Sequence, residues 1–292
     1  MVRTSRRNFL KTSLAAGALA TSGTLPAAAA TGKATDFVAL GKTNVKVTRL
    51  AFGTGTHNGE VQRSLGQDQF NKLVRHAWDR GIRFFETADS YPQMHEMLGV
   101  ALKGIPRDSY QLMSKITTDS GDPQQRWDSL RKQANSDYFD VMLLHVQQGT
   151  DWPERSKRWQ DAIQDAQHRQ IVRARGASVH GLEALRQVPQ NNWLQVAMIR
   201  MNHRGTRMDS GGNFWEANGD VQEVVQHVHA ARKTGMGVIS MKLIGEGVFN
   251  REDRQKAMRF AFQNAGVDCV TVGYKSPAEV DEAIENLNAA LA

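Results

Sequence analysis

Apolar and polar positions repeat along the chain as alternating strand-like and helix-like units. Short apolar runs have the length of β-strands, and each is followed by a segment with helical periodicity. The strand-like runs are Leu50 to Gly53, Ile82 to Ala88, Tyr110 to Ile116, Asp140 to Val146, Ile171 to Ser178, Trp193 to Asn202, Gly237 to Leu243 and Val267 to Tyr274. The helix-like segments are Gln67 to Arg80, Met94 to Lys103, Pro123 to Asn135, Arg155 to His168, Leu182 to Gln187, Asp220 to Thr234, Arg251 to Asn264 and Pro277 to Leu291.

This alternation predicts an α/β fold with a parallel sheet. Runs such as Val141 to Leu144 are continuously apolar, as expected for strands covered on both faces. Eight strand and helix units in about 240 residues predict a closed (β/α)8 TIM barrel, with a doubly wound open sheet as the alternative. Two apolar runs between Phe37 and Thr48 flank Gly41 to Asn44 and predict an N-terminal β-hairpin. No linker-like stretch divides residues 31–292, so we predict one domain.

One long connection has no predicted secondary structure. It runs from Asn202 to Gly219 and contains Gly211, Gly212, Phe214 and Trp215. Connections of this length are uncommon unless they are functional or disordered. A surface loop and a lid over a substrate are both open interpretations.

The positive charge of the chain is concentrated at its N-terminus. The chain has 292 residues with 37 Lys and Arg against 30 Asp and Glu, a formal net charge of +7. Residues 1–30 contain no acid, and an uncharged stretch rich in Ala, Gly, Ser and Thr ends at the small residues Ala28 to Ala30. The segment Ser5 to Lys11, S-R-R-N-F-L-K, resembles the twin-arginine export signal. We predict a signal peptide over residues 1–30 with cleavage after Ala30, and an uncleaved anchor or a basic tail is the alternative.

Cleavage changes what the charge implies. The four basic residues of the first thirty positions would be removed, which lowers the formal charge from +7 to +3. We therefore expect no nucleic-acid partner. The export resemblance implies recognition by the twin-arginine translocation machinery, a periplasmic or otherwise exported bacterial protein, and no stable membrane span after cleavage. The single Cys269 excludes an intrachain disulfide and an all-Cys metal site, and we predict no metal centre.

Polar residues stand at the C-terminal ends of three successive predicted strands, where barrels of this type place their active residues. Glu86 and Tyr91 lie at and after the end of the second strand of the predicted barrel, Lys115 near the end of the third and His145 near the end of the fourth. Burying such groups in apolar strands without partners is costly, so each must find one. We interpret the four as a catalytic set, although each residue alone is compatible with ordinary core pairing.

Several motifs then follow one another in a recognisable order. The stretch G-I-R-F-F-E-T-A-D-S-Y, Gly81 to Tyr91, is similar to the F-D-T-A-x-x-Y signature of the aldo-keto reductase family. The family order continues with S-K at Ser114-Lys115, L-L-H at Leu143 to His145, G-A-S at Gly176 to Ser178, M-K-L-I-G-E-G at Met241 to Gly247 and G-Y-K-S-P at Gly273 to Pro277. The chain resembles this family from Phe37 to its end.

The resemblance implies an oxidoreductase that interconverts carbonyl and alcohol groups with NADP or NAD. Tyr91 would be the general acid and base, and the Lys115 ammonium, paired with Glu86, would make its proton easier to lose. His145 would orient the carbonyl or share the proton transfer. The resemblance also implies cofactor contacts from ten positions, which are Gly53, Thr54, Ser178, Lys242, Leu243, Gly245, Gly247, Gly273, Lys275 and Ser276.

Three positions near this site depart from the family pattern. Glu86 replaces the usual Asp, Val179 replaces an Asn, and Met198 replaces a Gln, so two usual holders of the nicotinamide carboxamide are missing. The departures motivate a second hypothesis. In it, the barrel has lost hydride transfer and is a periplasmic carbohydrate or metabolite-binding protein, or a non-redox isomerase.

The choice of cofactor is also open at this point. Lys275 and Ser276 suit the 2'-phosphate of NADP, but Glu279 stands where the family often has Arg and would repel that phosphate. Twin-arginine export carries folded proteins, and the periplasm is not known for a free nicotinamide pool. We therefore expect a tightly bound cofactor and a small carbonyl or alcohol substrate, with a sugar as one candidate.

Overall fold

The structure is a computed structural model that describes residues 32–210 and 218–292. Within these residues the strands are β1 Phe37–Ala39, β2 Lys46–Thr48, β3 Leu50–Gly53, β4 Phe84–Glu86, β5 Gln111–Ile116, β6 Phe139–Gln147, β7 Val172–Val179, β8 Val196–Arg200, β9 Gly237–Met241 and β10 Cys269–Gly273. The predicted signal peptide, the cleavage point and Gly211, Gly212, Phe214 and Trp215 lie outside the described residues.

Helices separate the barrel strands. In the described part of the chain they are α1 Glu60–Arg63, α2 Gly66–Asp79, α3 Met94–Ala101, α4 Pro123–Gln133, α5 Trp152–Arg155, α6 Lys157–His168, α7 Leu182–Gln187, α8 Val221–Lys233, α9 Arg251–Arg259 and α10 Pro277–Leu291. Short 3-10 turns occur at Arg107–Ser109, Val188–Gln190 and Gly245–Gly247, and a π-helical turn at Phe260–Ala265 extends α9.

The strands from β3 to β10 form a closed parallel barrel. Neighbours pair in chain order, and β10 pairs in parallel with both β9 and β3, so that Val270 lies opposite Leu50. This pairing confirms the (β/α)8 barrel and excludes the open sheet, which leaves two edges unpaired. The antiparallel pairing of β1 with β2 confirms the hairpin.

The hairpin covers one end of the barrel. Leu40, Val45 and Val47 belong to the same buried cluster as the inward-facing residues of the strands. A Cβ on Gly237, the first residue of β9, would lie 2.7 Å from Leu40 Cγ. Because β9 starts there, the hairpin covers the N-terminal end of the barrel, and the C-terminal strand ends remain for a site.

Most predicted elements match the structure, but two helix boundaries differ. The helix predicted from Arg155 is divided into α5 and α6 at Ser156, whose hydroxyl donates to the Trp152 carbonyl oxygen over 2.7 Å. Such a bond competes with the backbone ladder and bends helices. The predicted helix from Arg251 is α-helical only to Arg259 before the π-turn. Helix α1 was not predicted, because four residues are too few to show a period.

Candidate active site

A buried ion pair joins the ends of β4 and β5. Lys115 Nζ pairs with Glu86 Oε1 and donates to the Thr87 carbonyl oxygen over 2.9 Å. The other carboxylate oxygen, Glu86 Oε2, accepts from Thr271 Oγ1 on β10 over 3.2 Å. The side chains of Lys115 and Glu86 are only 1% and 4% exposed, so each charge depends on these partners. The predicted pairing is present, and the long Glu86 side chain also reaches β10.

Tyr91 lies beside this pair in the loop between β4 and α3. Its ring centroid is 4.8 Å from Lys115 Nζ, and a Cβ on Gly55 would lie 2.6 Å from its Oη. Burial raises the pKa of Tyr91 well above its usual 10.0, and the charges of Glu86, Glu246 and Asp89 raise it further. This direction is opposite to the sequence-based expectation, because burial and the nearby carboxylates outweigh the Lys115 ammonium, which is itself paired with Glu86. Tyr91 is therefore a neutral phenol at pH 7, able to donate a proton.

His145 lies on the other side of Tyr91, on β6. The two rings meet edge to face with centroids 5.6 Å apart, and His145 Nδ1 shares a hydrogen bond of 3.0 Å with Ser90 Oγ. Burial lowers the pKa of His145 well below 6.5, and the charges of Lys115 and Lys242 lower it further. A neutral imidazole at this place can hydrogen-bond a carbonyl or alcohol without adding a charge.

A β-bulge turns the end of β6. Val146 has a φ of 50°, which is unusual for a β-branched residue, and the register with β7 shifts between Leu144 and Gln147. The fully buried Ser178 on β7 accepts from the Val146 amide nitrogen over 3.0 Å. Ser178 was expected to contact a cofactor, and in the structure its hydroxyl supports the strand end that carries His145.

Asp89 joins the loop of Tyr91 to the neighbouring loop. Its carboxylate accepts from the backbone nitrogen and the hydroxyl of Thr117, each over 2.9 Å, and pairs with Arg126. These contacts hold the chain on both sides of Ser90. Sequence reasoning did not single out Asp89, Ser90 or Thr271, although the first two lie inside the motif from Gly81 to Tyr91.

A cavity of 340 Å³ extends from Tyr91 across the top of the barrel to α10. The predicted positions that line it are Glu86, Tyr91, Gly53, Lys242, Leu243, Gly247, Gly273 and Lys275. Met198 lines it as well, with a thioether where the family pattern has a carboxamide, whereas Val179 is buried in the core on the helix side of the barrel. Thr54 donates through both its amide and its hydroxyl to the Glu86 carbonyl oxygen, which fixes the end of β3.

The loop after β9 holds a cluster of charges at the middle of the cavity. Lys242 and Glu246 both have left-handed backbone angles, with φ of 58° and 57°, and their side chains form an ion pair. Arg207 Nη1 lies 2.9 Å from Glu246 Oε2. Although burial opposes it, the charges of Lys242 and Arg207 hold the pKa of Glu246 below 4.5. Two cations against one carboxylate leave this cluster with one net positive charge.

At the far end, the start of α10 is occupied by groups of the chain itself. Ser276 Oγ caps the helix by accepting from the Glu279 backbone nitrogen over 3.4 Å. Glu279 Oε2 in turn accepts from the Lys275 backbone nitrogen over 2.8 Å. Of the predicted cofactor contacts here, Lys275 lines the cavity together with Glu279, whereas Ser276 caps the helix and is not among the lining residues.

Other features of the described residues add no further site. Residues 32–210 and 218–292 contain no group of three or more His, Cys, Asp or Glu side chains arranged to hold a metal ion. None of the helices in those ranges has both the length and the apolar character that a membrane crossing requires.

Two family models match the sequence. The model described as the Aldo/keto reductase family matches residues 49–258, and the model of the twin-arginine translocation signal sequence matches residues 3–23. The second match supports export across a membrane.

Curated relatives match over short segments. A protein named Probable aldo-keto reductase 1 from Glycine max is 38% identical over 85 residues, which are 27% of this chain and 23% of the relative. D-threo-aldose 1-dehydrogenase from a Pseudomonas species is 33% identical over 96 residues, which are 32% of this chain and 25% of the relative. The matched segments thus span about a quarter of each relative.

Solved structures share the fold over nearly the whole chain. The aldo-keto reductase of Bacillus halodurans in its holo form has a TM-score of 0.68 at 16% identity, covering 88% of this chain and 95% of that one. A Pseudomonas aeruginosa protein provisionally assigned to the aldo-keto reductases has a TM-score of 0.71 at 19% identity, covering 89% and 98%. With a family model that matches most of its length, and with the barrel and strand-end residues described above, this chain belongs to the aldo/keto reductase family.

Proposed function

We propose that this protein is an exported oxidoreductase that interconverts carbonyl and alcohol groups with NAD(P), with Tyr91 as general acid and base. The observation that carries the proposal is the arrangement around Tyr91. A buried, neutral phenol lines the cavity, and its ring centroid lies 4.8 Å from Lys115 Nζ and 5.6 Å from the centroid of the neutral His145 ring. This arrangement and the family assignment support oxidoreduction over a binding or isomerase role.

The cavity has features that fit a dinucleotide. Glycines form its surface near Tyr91, where side chains would collide. A Cβ on Gly53 would lie 2.6 Å from Thr271 Oγ1, and one on Gly273 would lie 2.6 Å from Thr56 Oγ1. Gly247 has a φ of 93° and nothing within 4 Å of an added Cβ, so its backbone borders open space. The net positive cluster around Lys242 suits phosphate groups.

Each residue has a role that its contacts support. When bound, the cofactor donates hydride to the carbonyl carbon or accepts it from the alcohol. Tyr91 Oη gives its proton to the carbonyl oxygen during reduction, and its raised pKa keeps that proton available at pH 7. His145 donates or accepts a hydrogen bond at the same oxygen. Lys115 holds Glu86 and the loop of Tyr91 in place.

The cofactor would be held along the cavity wall. Gly53 and Gly273 would border the nicotinamide, Lys242 and the 245–247 turn would hold the phosphates, and the start of α10 would hold the adenosine. Met198 offers an apolar surface where a carboxamide is expected, so we expect the nicotinamide amide to be held by fewer side-chain hydrogen bonds.

The comparisons support a substrate class and a location for this proposal. A relative of this chain is named an aldose dehydrogenase, and we propose a sugar or a similar small polyhydroxy carbonyl compound as substrate. The export signal supports a periplasmic location, where a cofactor must be carried in with the folded protein. We therefore propose a tightly bound nicotinamide cofactor.

The test compares two buried tyrosines. The purified full chain is assayed with NADH and NADPH against a panel of aldoses and aromatic aldehydes by nicotinamide absorbance. Tyr91→Phe should lower turnover by about 10²- to 10⁴-fold while nucleotide binding is retained. Tyr110→Phe is the matched control, because Tyr110 is equally buried but does not line the cavity.

Two results would count against the proposal. One is wild-type protein that neither binds nor turns over any nicotinamide nucleotide. The other is a Tyr91→Phe variant with undiminished turnover, which would assign the proton transfer to another group.

A further inference from the structure

At the α10 end of the cavity, two carboxylates are paired with the two cations beside them. Glu279 and Glu282 line this end, and the two cations that line it, Lys275 and Arg254, are both engaged with them. The identity of these pairs determines which dinucleotide this end can accept.

Arg254 is fixed by bonds within the protein. Its Nε and Nη2 donate to the two oxygens of Glu282 over 2.7 and 2.9 Å, which is a bidentate pairing of the planar guanidinium with the carboxylate. Its Nη1 donates to the Phe249 carbonyl oxygen over 2.6 Å. Glu282 is braced further by the buried Asn286, whose Nδ2 lies 3.3 Å from Oε1. An incoming phosphate would have to break this network to reach the guanidinium.

Glu279 takes the position that an anion would otherwise use. The first turn of a helix attracts negative charge through its free amide groups and its dipole. Here Ser276 Oγ accepts from one of those amides, and the Glu279 carboxylate accepts from the Lys275 amide directly before the helix. The remaining cation, Lys275 Nζ, lies 3.9 Å from the same carboxylate. The amides at and just before the start of α10 are thus partly occupied by side chains of the protein itself.

We propose that Glu279 makes this protein selective for NAD(H) over NADP(H), an inference that rests on the function proposed above. With the nicotinamide at Tyr91, an extended dinucleotide directs its adenosine toward α10. A 2'-phosphate, with a charge of about −1.5 to −2, would face Glu279 and Glu282. A free ribose 2'-hydroxyl instead donates a hydrogen bond to such a carboxylate, as acidic residues do at NAD sites.

The experiment measures binding directly. The purified full chain, after removal of any copurified nucleotide, is titrated by calorimetry with NADH, NADPH, ADP-ribose and 2'-phospho-ADP-ribose, of which the last two lack the nicotinamide and report on the adenosine end alone. We expect the 2'-phosphorylated member of each pair to bind at least about tenfold more weakly, since like charges at close range oppose binding.

Variants locate the effect. Glu279→Gln should reduce the difference between the pairs to a few-fold, because the carboxylate charge is lost and Lys275 is released. Glu279→Arg should reverse the preference. Glu285→Gln is the matched control, since Glu285 is on the same helix, 64% exposed and outside the cavity lining, and it should keep the wild-type preference. Circular dichroism confirms that each variant is folded.

The outcomes separate this inference from the proposed function. Equal or tighter binding of the 2'-phosphorylated compounds to wild-type protein overturns the selectivity and leaves the oxidoreductase proposal standing. An unchanged preference in Glu279→Gln assigns the selectivity to another residue and also overturns it. Absence of binding by all four compounds overturns the proposed function and this inference together.

Discussion

At the Tyr91 end of the cavity, Lys115 and Glu86 form an ion pair whose side chains are 1% and 4% exposed. At the α10 end, Lys275 and Glu279 lie 3.9 Å apart and are 68% and 40% exposed. Water and salt screen the second pair, whereas the first has only its protein partners. The two pairs have the same chemistry but different surroundings. The pair beside Tyr91 is therefore coupled to the stability of the fold, whereas the pair at α10 contributes little to it.

The largest expected effect comes from removing the buried cation. Lys115→Met leaves Glu86 as a buried, unpaired carboxylate, and we expect a loss of about 3–5 kcal/mol in the free energy of unfolding. Urea unfolding at pH 7 measures it. The double variant Lys115→Met with Glu86→Gln is the control, because it removes both charges and should recover part of the loss. A single-variant loss under about 1 kcal/mol would show that the buried pair behaves like an exposed one.

A pH dependence should follow from His95, which packs behind the buried pair. His95 Nε2 lies 2.8 Å from Ser114 Oγ, and burial, with the charge of Lys115, lowers the pKa of His95 to about 3. The folded state then keeps His95 neutral while the unfolded chain binds a proton below pH 6.5. The contribution of His95 to the free energy of unfolding is fully present above that pH and is lost toward pH 3. Between pH 7 and pH 5 the free energy of unfolding should fall by about 2 kcal/mol.

The measurement is urea unfolding at these two pH values in wild type and in His95→Gln, which keeps a donor for Ser114. The variant should lose this part of the pH dependence. His229→Gln, at a site where Nε2 contacts only the Asn264 carbonyl oxygen among the bonds described, is the control and should keep it. Identical pH slopes in wild type and His95→Gln would contradict the prediction.

A smaller effect is expected at the bulge of β6. Ser178→Ala removes the acceptor of the Val146 amide, and a lost hydrogen bond of this kind costs about 1 kcal/mol. Turnover should fall as well, since the bulge holds His145. Ser240→Ala is the matched control, because Ser240 is an equally buried strand serine whose hydroxyl makes only a 3.4 Å contact with the Met201 carbonyl oxygen. Equal turnover in the two variants would show that Ser178 does not position His145.

The smallest effect on stability is expected at the exposed pair. Lys275→Met should change the free energy of unfolding by less than about 1 kcal/mol, and added salt should reduce even that difference. Thermal unfolding at low and high ionic strength measures it. A loss in the free energy of unfolding as large as that in Lys115→Met would contradict the distinction between the buried pair at Tyr91 and the exposed pair at α10.

Much of the fold could be predicted from the sequence because its signals are local. Apolar periodicity placed strand and helix ends within a few residues, with exceptions such as the division at Ser156. Glu86, Tyr91, Lys115 and His145 could be predicted as one group, because closure of a parallel barrel brings successive strand ends together. The bond from Thr271 to Glu86 could not, because its two residues are separated by 185 positions.

The role of each residue within the site was harder to predict than which residues form the site. Ser178 was expected at a cofactor, yet its hydroxyl supports Val146, because the irregular register of β6 with β7 turns an amide toward it. The braces from Asp89 to Thr117 and Arg126 depend in the same way on which loops become neighbours.

The sequence by itself determined the barrel, the export signal, the family and the residues at the strand ends, because these depend on periodicity and on short motifs. Only the tertiary structure decided the electrostatics. Sequence places Lys115 near Tyr91 and predicts an easily lost proton, but burial and the charges of Glu86 and two other carboxylates raise the pKa of Tyr91 instead. Desolvation and the competition among charges depend on the full set of neighbours, and those neighbours come together only when the barrel closes.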